Sequence, residues 1–171
     1  MAERSLVEFI SNYRVSSVLN RDTKSLGKQF LFDGSSETCW NSEQGSPQHI
    51  LVEFTRPVLL SEIRIQFQGG FAGKATRLVD LDLREEICTL HPEDDNSLQL
   101  LRLPDAAHVV PRRQIKLQFQ SSTDFYGRIV VYVLDLWGTI PDDSAEPRQD
   151  AAGAAADGSG DDGSAAVIVF G

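Results

Sequence analysis

Asp33 and Thr38, five positions apart across a loop, come nearer to metal chemistry than any other pair in this 171-residue chain. A carboxylate, a hydroxyl and a loop carbonyl could together supply oxygen ligands to a hard cation, which makes calcium the candidate cofactor. A local reading competes and is preferred: Asp33-Gly34 opens an Asx turn and the Thr38 hydroxyl bonds to backbone. The run that holds them, Asp33-Gly34-Ser35-Ser36-Glu37-Thr38-Cys39-Trp40-Asn41-Ser42, leads into the alternating segment His49-Ile50-Leu51-Val52-Glu53-Phe54. A tight turn, hydroxyls and a large aromatic at the head of a strand anchor the loops of a binding domain and do not arm a nucleophile.

Other constellations carry less. Gly69-Gly70-Phe71-Ala72-Gly73-Lys74-Ala75 looks like a phosphate-binding loop, but Gln68 stands where that motif needs its first glycine and Ala75 where it needs a hydroxyl. It reads instead as a glycine-rich hairpin that exposes Phe71 and Lys74, with packing of Phe71 over the end of the sandwich as an equal alternative. His49, His91 and His108 lie in unrelated contexts, and no two have the spacing that puts a pair of imidazoles on one helical face. Glu93-Asp94-Asp95 is a solvated acidic turn, since consecutive side chains point apart and a calcium loop needs defined ligand spacing with a glycine. Cys39 and Cys88 sit in apolar surroundings and read as two small buried hydrophobes, not as a disulfide. Arg112-Arg113 with Lys116 is the densest basic spot and reads as a solvated strand entry.

The elements that must position these residues are strands. Ile63-Arg64-Ile65-Gln66-Phe67-Gln68 alternates strictly, and Ile115-Lys116-Leu117-Gln118-Phe119-Gln120 repeats the pattern almost letter for letter. Val79, Leu81 and Leu83 alternate with Asp80, Asp82 and Arg84 as another half-buried strand, whereas residues 129–134 are apolar on both parities and predict a strand covered on both faces. Turn signals separate these runs at Arg56-Pro57, Gly69-Gly70, His91-Pro92, Leu103-Pro104 and Gly138. A single helical turn is expected over 25–32. Many short strands with little helical pattern predict an all-β sandwich or barrel.

Charge divides the chain. The formal charge of -9 is concentrated at the end: residues 142–171 hold seven acidic residues against Arg148, and the preceding body is 18 acidic against 15 basic. Nothing in that body resembles the clustered basic face that nucleic-acid binding requires. From 142 to 163 the composition is too poor in apolar residues to offset ordering entropy, so 1–141 reads as the domain and 142–171 as a low-complexity tail. The tail ends in Val167-Ile168-Val169-Phe170, a segment able to add as a strand to a partner. Residues 1–10 lack the continuous apolar stretch of a signal peptide and no segment approaches a membrane span, so a reducing, intracellular setting without membrane contact is expected.

Leu31-Phe32-Asp33-Gly34, Glu37-Thr38-Cys39-Trp40-Asn41-Ser42, Gln48 and the strand through Phe54 resemble the discoidin-like, or factor V/VIII C-type, domain of the galactose-binding-like fold. Arg14-Val15-Ser16-Ser17-Val18-Leu19-Asn20-Arg21, Gln66-Phe67-Gln68-Gly69-Gly70-Phe71, Pro92-Glu93-Asp94 and Thr123-Asp124-Phe125 with Gly127-Arg128 extend the likeness over about residues 14–138. Within that family the chain is similar to a small intracellular branch that associates with a nuclear receptor and represses transactivation. The resemblance implies a jelly-roll-like β-sandwich whose ligand surface is built from loops at one end, here 20–25, 33–42 and 69–74. Secreted members pin their ends with a disulfide, and this chain has no cysteine near Arg14 or Gly138.

The expected function is a non-enzymatic protein-binding adaptor, cytoplasmic or nuclear, whose partner is a nuclear receptor or a large complex. A fixed subunit of a ciliary or axonemal assembly is the first alternative. A glycan-binding module is the second, with Asn20, Arg21 and Phe71 as its contacts and Trp40 excluded by burial. For a protein partner the same loops apply: Asn20, Arg21, Gly69, Gly70, Phe71 and Lys74.

Overall fold

The structure, a computed structural model, describes residues 2–141; the tail and its Val167 to Phe170 terminus lie outside the described residues. The strands are β1 (Arg4–Ser5), β2 (Ile10–Val15), β3 (Trp40–Asn41), β4 (Gln48–Phe67), β5 (Gly73–Asp80), β6 (Glu85–Leu90), β7 (Leu98–Arg102), β8 (Arg112–Ser122) and β9 (Val130–Thr139). Every pairing is antiparallel. They form the two layers of a sandwich, and β4 belongs to both. Its first half lies between β2 and β8, in the sheet that continues to β5 and β6; its second half lies between β7 and β9, and β9 also carries β1 and β3.

Arg56-Pro57 was expected to end a strand, and it does not. β4 runs through it and changes sheets where the register shifts between Glu53 and Val58. Proline is tolerated there because an irregular register asks no ladder donor of it, and its fixed φ suits an extended chain. The helical turn expected over 25–32 is divided into a one-turn α-helix, Thr23–Leu26, and a 3-10 turn, Lys28–Phe30.

The alternating runs pack as predicted. Ile63, Ile65 and Phe67 face Ile115, Leu117 and Phe119 across the core, all buried, and Val130 and Val131 are buried in succession as the doubly apolar run requires. Phe119 joins two other rings: its ring centroid is 5.8 Å from that of Phe67, edge-on, and 6.4 Å from that of Trp40. Burial of such side chains contributes about 1.5–3 kcal/mol each. Gly73 opens β5 because a Cβ there would run into the Phe119 ring.

Two charged residues overturn the sequence reading. Asp80 was placed on the solvent side and Leu83 on the inner side; Asp80 is 1% exposed and Leu83 57%. Arg112 was read as a solvated strand entry and is buried, with Nη1 donating to Asp80 Oδ2 at 2.5 Å. Asp80 Oδ1 also accepts from the amides of Asp82 and Leu83, so one carboxylate caps the β5–β6 turn and neutralises a buried guanidinium. Those bonds draw Asp80 inward and leave Leu83 on the turn outside. Removing the carboxylate strands a buried cation: Asp80→Ala is expected to lose about 3–5 kcal/mol in urea unfolding. A loss under about 1 kcal/mol would show that the pair does not hold the turn.

Candidate functional site

Five connections gather at one end of the sandwich: 16–22, 42–47, 69–72, 92–97 and 123–129. Hydrogen bonds join them in series. The Gly45 amide donates to Tyr126 O at 2.7 Å, Val130 N to Phe71 O at 3.1 Å, and Thr123 N to Ala72 O at 2.9 Å. Asp94 Oδ1 accepts from Gly70 N at 2.8 Å and from the Thr123 hydroxyl at 3.2 Å. The run Glu93-Asp94-Asp95, expected to be a free solvated turn, is in part a fastening between loops.

Gln48, buried at the head of β4, ties two of these loops to the core. Its Oε1 accepts from the hydroxyls of Ser16 at 2.5 Å and Ser17 at 2.8 Å, while its Nε2 donates to the carbonyls of Glu43 at 3.2 Å and Gly45 at 2.9 Å. Ser17 also receives the Glu43 amide on its hydroxyl and the Trp40 indole on its carbonyl, at 3.0 and 2.8 Å. Buried Ser42 bonds the opposite loop, its hydroxyl accepting from Ile129 N at 2.8 Å. In this way Trp40, which the sequence marked as buried, fills the core with its ring and holds a loop with its nitrogen.

The surface that results is aromatic. Phe125 is 92% exposed and Tyr126 60%, with their rings edge-on at 5.1 Å. Gly127 follows at φ 90°, and a Cβ there would come within 2.8 Å of the Gly45 backbone, so the two glycines allow their loops to touch. Sequence reasoning quoted Phe125 only as part of a resemblance and did not select the pair. The available signal was a turn-forming Asp124 and Gly127 bracketing two aromatics between strand patterns.

The selected residues divide. Asn20 and Arg21 are exposed at this end with φ of 55° and 56°, and the Asn20 amide donates to Glu43 Oε2 at 2.8 Å. Two consecutive non-glycine residues in the left-handed region hold about 1–3 kcal/mol of strain each, which the surrounding bonds must sustain. Gly69 and Gly70 lie in the turn after β4, but this segment is not a hairpin: it crosses from one sheet to the other. Phe71 is half-buried under the Arg128 guanidinium, 4.6 Å from the ring centroid, and Lys74 is exposed on β5 opposite Ser121.

Asp33 and Thr38 bond to each other. The Thr38 hydroxyl donates to Asp33 Oδ2 at 2.5 Å and the Ser35 amide to Asp33 Oδ1 at 3.0 Å, which is the Asx turn. One exposed carboxylate with both oxygens engaged fits poorly with the six to eight oxygens calcium takes. Among the described residues no group of three or more His, Cys, Asp or Glu could hold a metal ion. Cys39 and Cys88 are free and half-buried, and burial pushes both thiols up, away from the reactive thiolate. His91 is exposed, and the His108 ring lies 3.0 Å from Leu103 O. Among the described residues no helix is long and apolar enough to cross a membrane.

Two outcomes test this arrangement. Gln48→Leu leaves two hydroxyls and two carbonyls short of a partner, so unfolding is expected to become easier by about 2–4 kcal/mol, with faster amide exchange over 43–47. Millimolar calcium is expected to leave the melting midpoint of the wild type unmoved, whereas a rise of several degrees that disappears in Asp33→Asn would establish a calcium site.

No family model matches the chain. Among solved structures, it is similar to the F5/8 type C domain of a Bacteroides fragilis protein, with TM-score 0.63 and 13% identity over 76% of this chain and 92% of that one. A family 32 carbohydrate-binding module from Clostridium perfringens, in complex with galactose, gives TM-score 0.61 and 16% identity over 80% and 99%. These likenesses show the discoidin-like, galactose-binding-like sandwich. In sequence, the chain is 52% identical over 142 residues to nuclear receptor 2C2-associated protein of Danio rerio, covering 81% of this chain and 97% of the relative. It is 44% identical over 128 residues to the Homo sapiens protein of that name, covering 73% and 89%. On this similarity, carried by a discoidin-like sandwich with a braced loop end, the chain belongs to the nuclear receptor 2C2-associated protein family.

Proposed function

We propose that this chain is a non-enzymatic adaptor of the cytoplasm or nucleus that docks a protein partner, a nuclear receptor, through the loop end and thereby restrains transactivation. The observation that carries the reading is Phe125, 92% exposed beside Tyr126 on a loop fastened to its neighbours. Large aromatics held out of the core by a braced backbone lose little entropy on contact, and aromatic side chains with arginine dominate the energetics of protein interfaces. Arg21 lies on the 16–22 loop at the same end. The relatives' name supports the choice of partner class.

The sugar-bound neighbour favours a second reading, in which the same loops take a glycan. Such sites combine a stacking ring with convergent polar groups. Here Phe71 is covered by Arg128, and Phe125 meets Tyr126 edge-on and stands clear of the surface. That geometry suits a protein contact better than a sugar ring.

Co-precipitation with the receptor named in its relatives separates the two. Phe125→Ala with Tyr126→Ala is expected to weaken capture at least about tenfold, the scale of an interface hot spot, and to relieve repression in a reporter assay while the melting midpoint holds. Undiminished capture by that variant would remove the loop end as the docking surface. Saturable glycan-array binding lost in the same variant would favour the second reading.

A further inference from the structure

The outer face of the sheet built on β2, β4, β8, β5 and β6 carries charge that the fold leaves unpaired. Cross-strand register puts Arg14, Leu51, Lys116 and Val79 in one row, and His49, Gln118 and Arg77 in the next. His49 is therefore diagonal to both Arg14 and Lys116, a separation of about 7–8 Å between Cα positions. Burial, and after it the nearness of Lys116 and Arg14, lowers the His49 pKa. Among the described residues neither Arg14 nor Lys116 has a carboxylate partner. The carboxylates on this face are Glu86, engaged by Arg77 and Thr89, and Glu53, which stands diagonal to Arg14 and Lys116 on the side away from His49 and forms an ion pair with neither.

Beside Arg14, at the β2 edge, lies a cavity of about 270 Å³. It is lined by the apolar Val15 and Val18 and by Thr23, Lys28 and Gln29, and it opens to solvent. Lys28 Nζ donates to the Tyr13 carbonyl at 2.8 Å, which fixes a third cation at the rim. An apolar recess bordered by two cations, continuous with a face holding a third, complements a peptide that carries both carboxylates and a branched apolar side chain.

We propose that this face docks an acidic peptide segment of a partner protein, with carboxylates against Arg14 and Lys116 and an apolar side chain in the cavity between Arg14 and Lys28. The body as a whole, 18 acidic residues against 15 basic, repels anions in general, so the patch is a local exception. Nucleic acid fits it less well, since a polyanion needs a longer basic track and exposed aromatics on which to stack bases. The surface meets the loop end only at Val18, includes none of 42–47, 69–72 or 123–129, and stands whether or not Phe125 contacts a receptor.

Fluorescence anisotropy on the full chain tests it, with a labelled peptide of alternating Glu, Leu and Ser. Saturable binding is expected, weakened at least about tenfold by Arg14→Glu with Lys116→Glu, less by Arg14→Gln with Lys116→Gln, and by raising salt several-fold, because exposed charge pairs are screened. Phe125→Ala is expected to leave it unchanged. The melting midpoint of each variant confirms folding. The proposal is overturned by absence of saturable binding, by equal binding of a peptide with Lys in place of Glu, by retained affinity in both paired variants, or by tighter binding of a single-stranded oligonucleotide.

Discussion

The buried amide of Gln48 is the constraint on which the rest of the loop end depends. One side chain accepts from two hydroxyls on 16–17 and donates to two carbonyls on 43–45, so it fills both halves of its hydrogen-bonding capacity with loops that have no regular structure of their own. Buried polar groups are costly unless every partner is present, and the same cost makes the arrangement specific. The loops adopt the geometry that satisfies Gln48, and through Gly45 and Tyr126 that geometry passes to the aromatic tip.

The sandwich supplies the fixed ground for this device. Because β4 crosses between sheets, Gln48 at its start and Phe67 at its end belong to one continuous strand, and both lie at the end where the loops gather. Phe119 lies opposite Gln48 on β8 and packs against Trp40, whose nitrogen reaches the same serine loop. At the far end of β5 and β8, the Asp80 and Arg112 pair closes the sheet in a different way, with charge in place of an amide.

How much of this is legible in the sequence follows from where each cause lies. Alternation over 63–67 and 115–119 reports burial directly, since strand geometry is local, and the buried Trp40 and the discoidin-like architecture were readable with it. Asp80 misled because its burial rests on Arg112, 32 positions away, and no local pattern announces a partner at that distance. Arg56-Pro57 misled because a proline can mark a reversal or a sheet change, and only the pairing of β4 with both β8 and β9 decides. Of the loop residues, Asn20, Arg21 and Gly70 lie exposed, while Phe71 is half-buried under Arg128, which is 57 positions on and gives no local signal. Phe125 and Tyr126 gave no periodic signal, and their prominence comes from the bonding of 123–129 to loops distant in sequence.

Hydrogen exchange of the full chain, free and bound to the receptor named in its relatives, tests the central claim that a braced loop end is the recognition surface. The account predicts slow exchange over 43–47 in the free protein for so irregular a segment, and further protection of 43–47 and 123–129 on binding. Rapid exchange over 43–47 in the free chain, or a bound state that protects neither segment while others change, would contradict it.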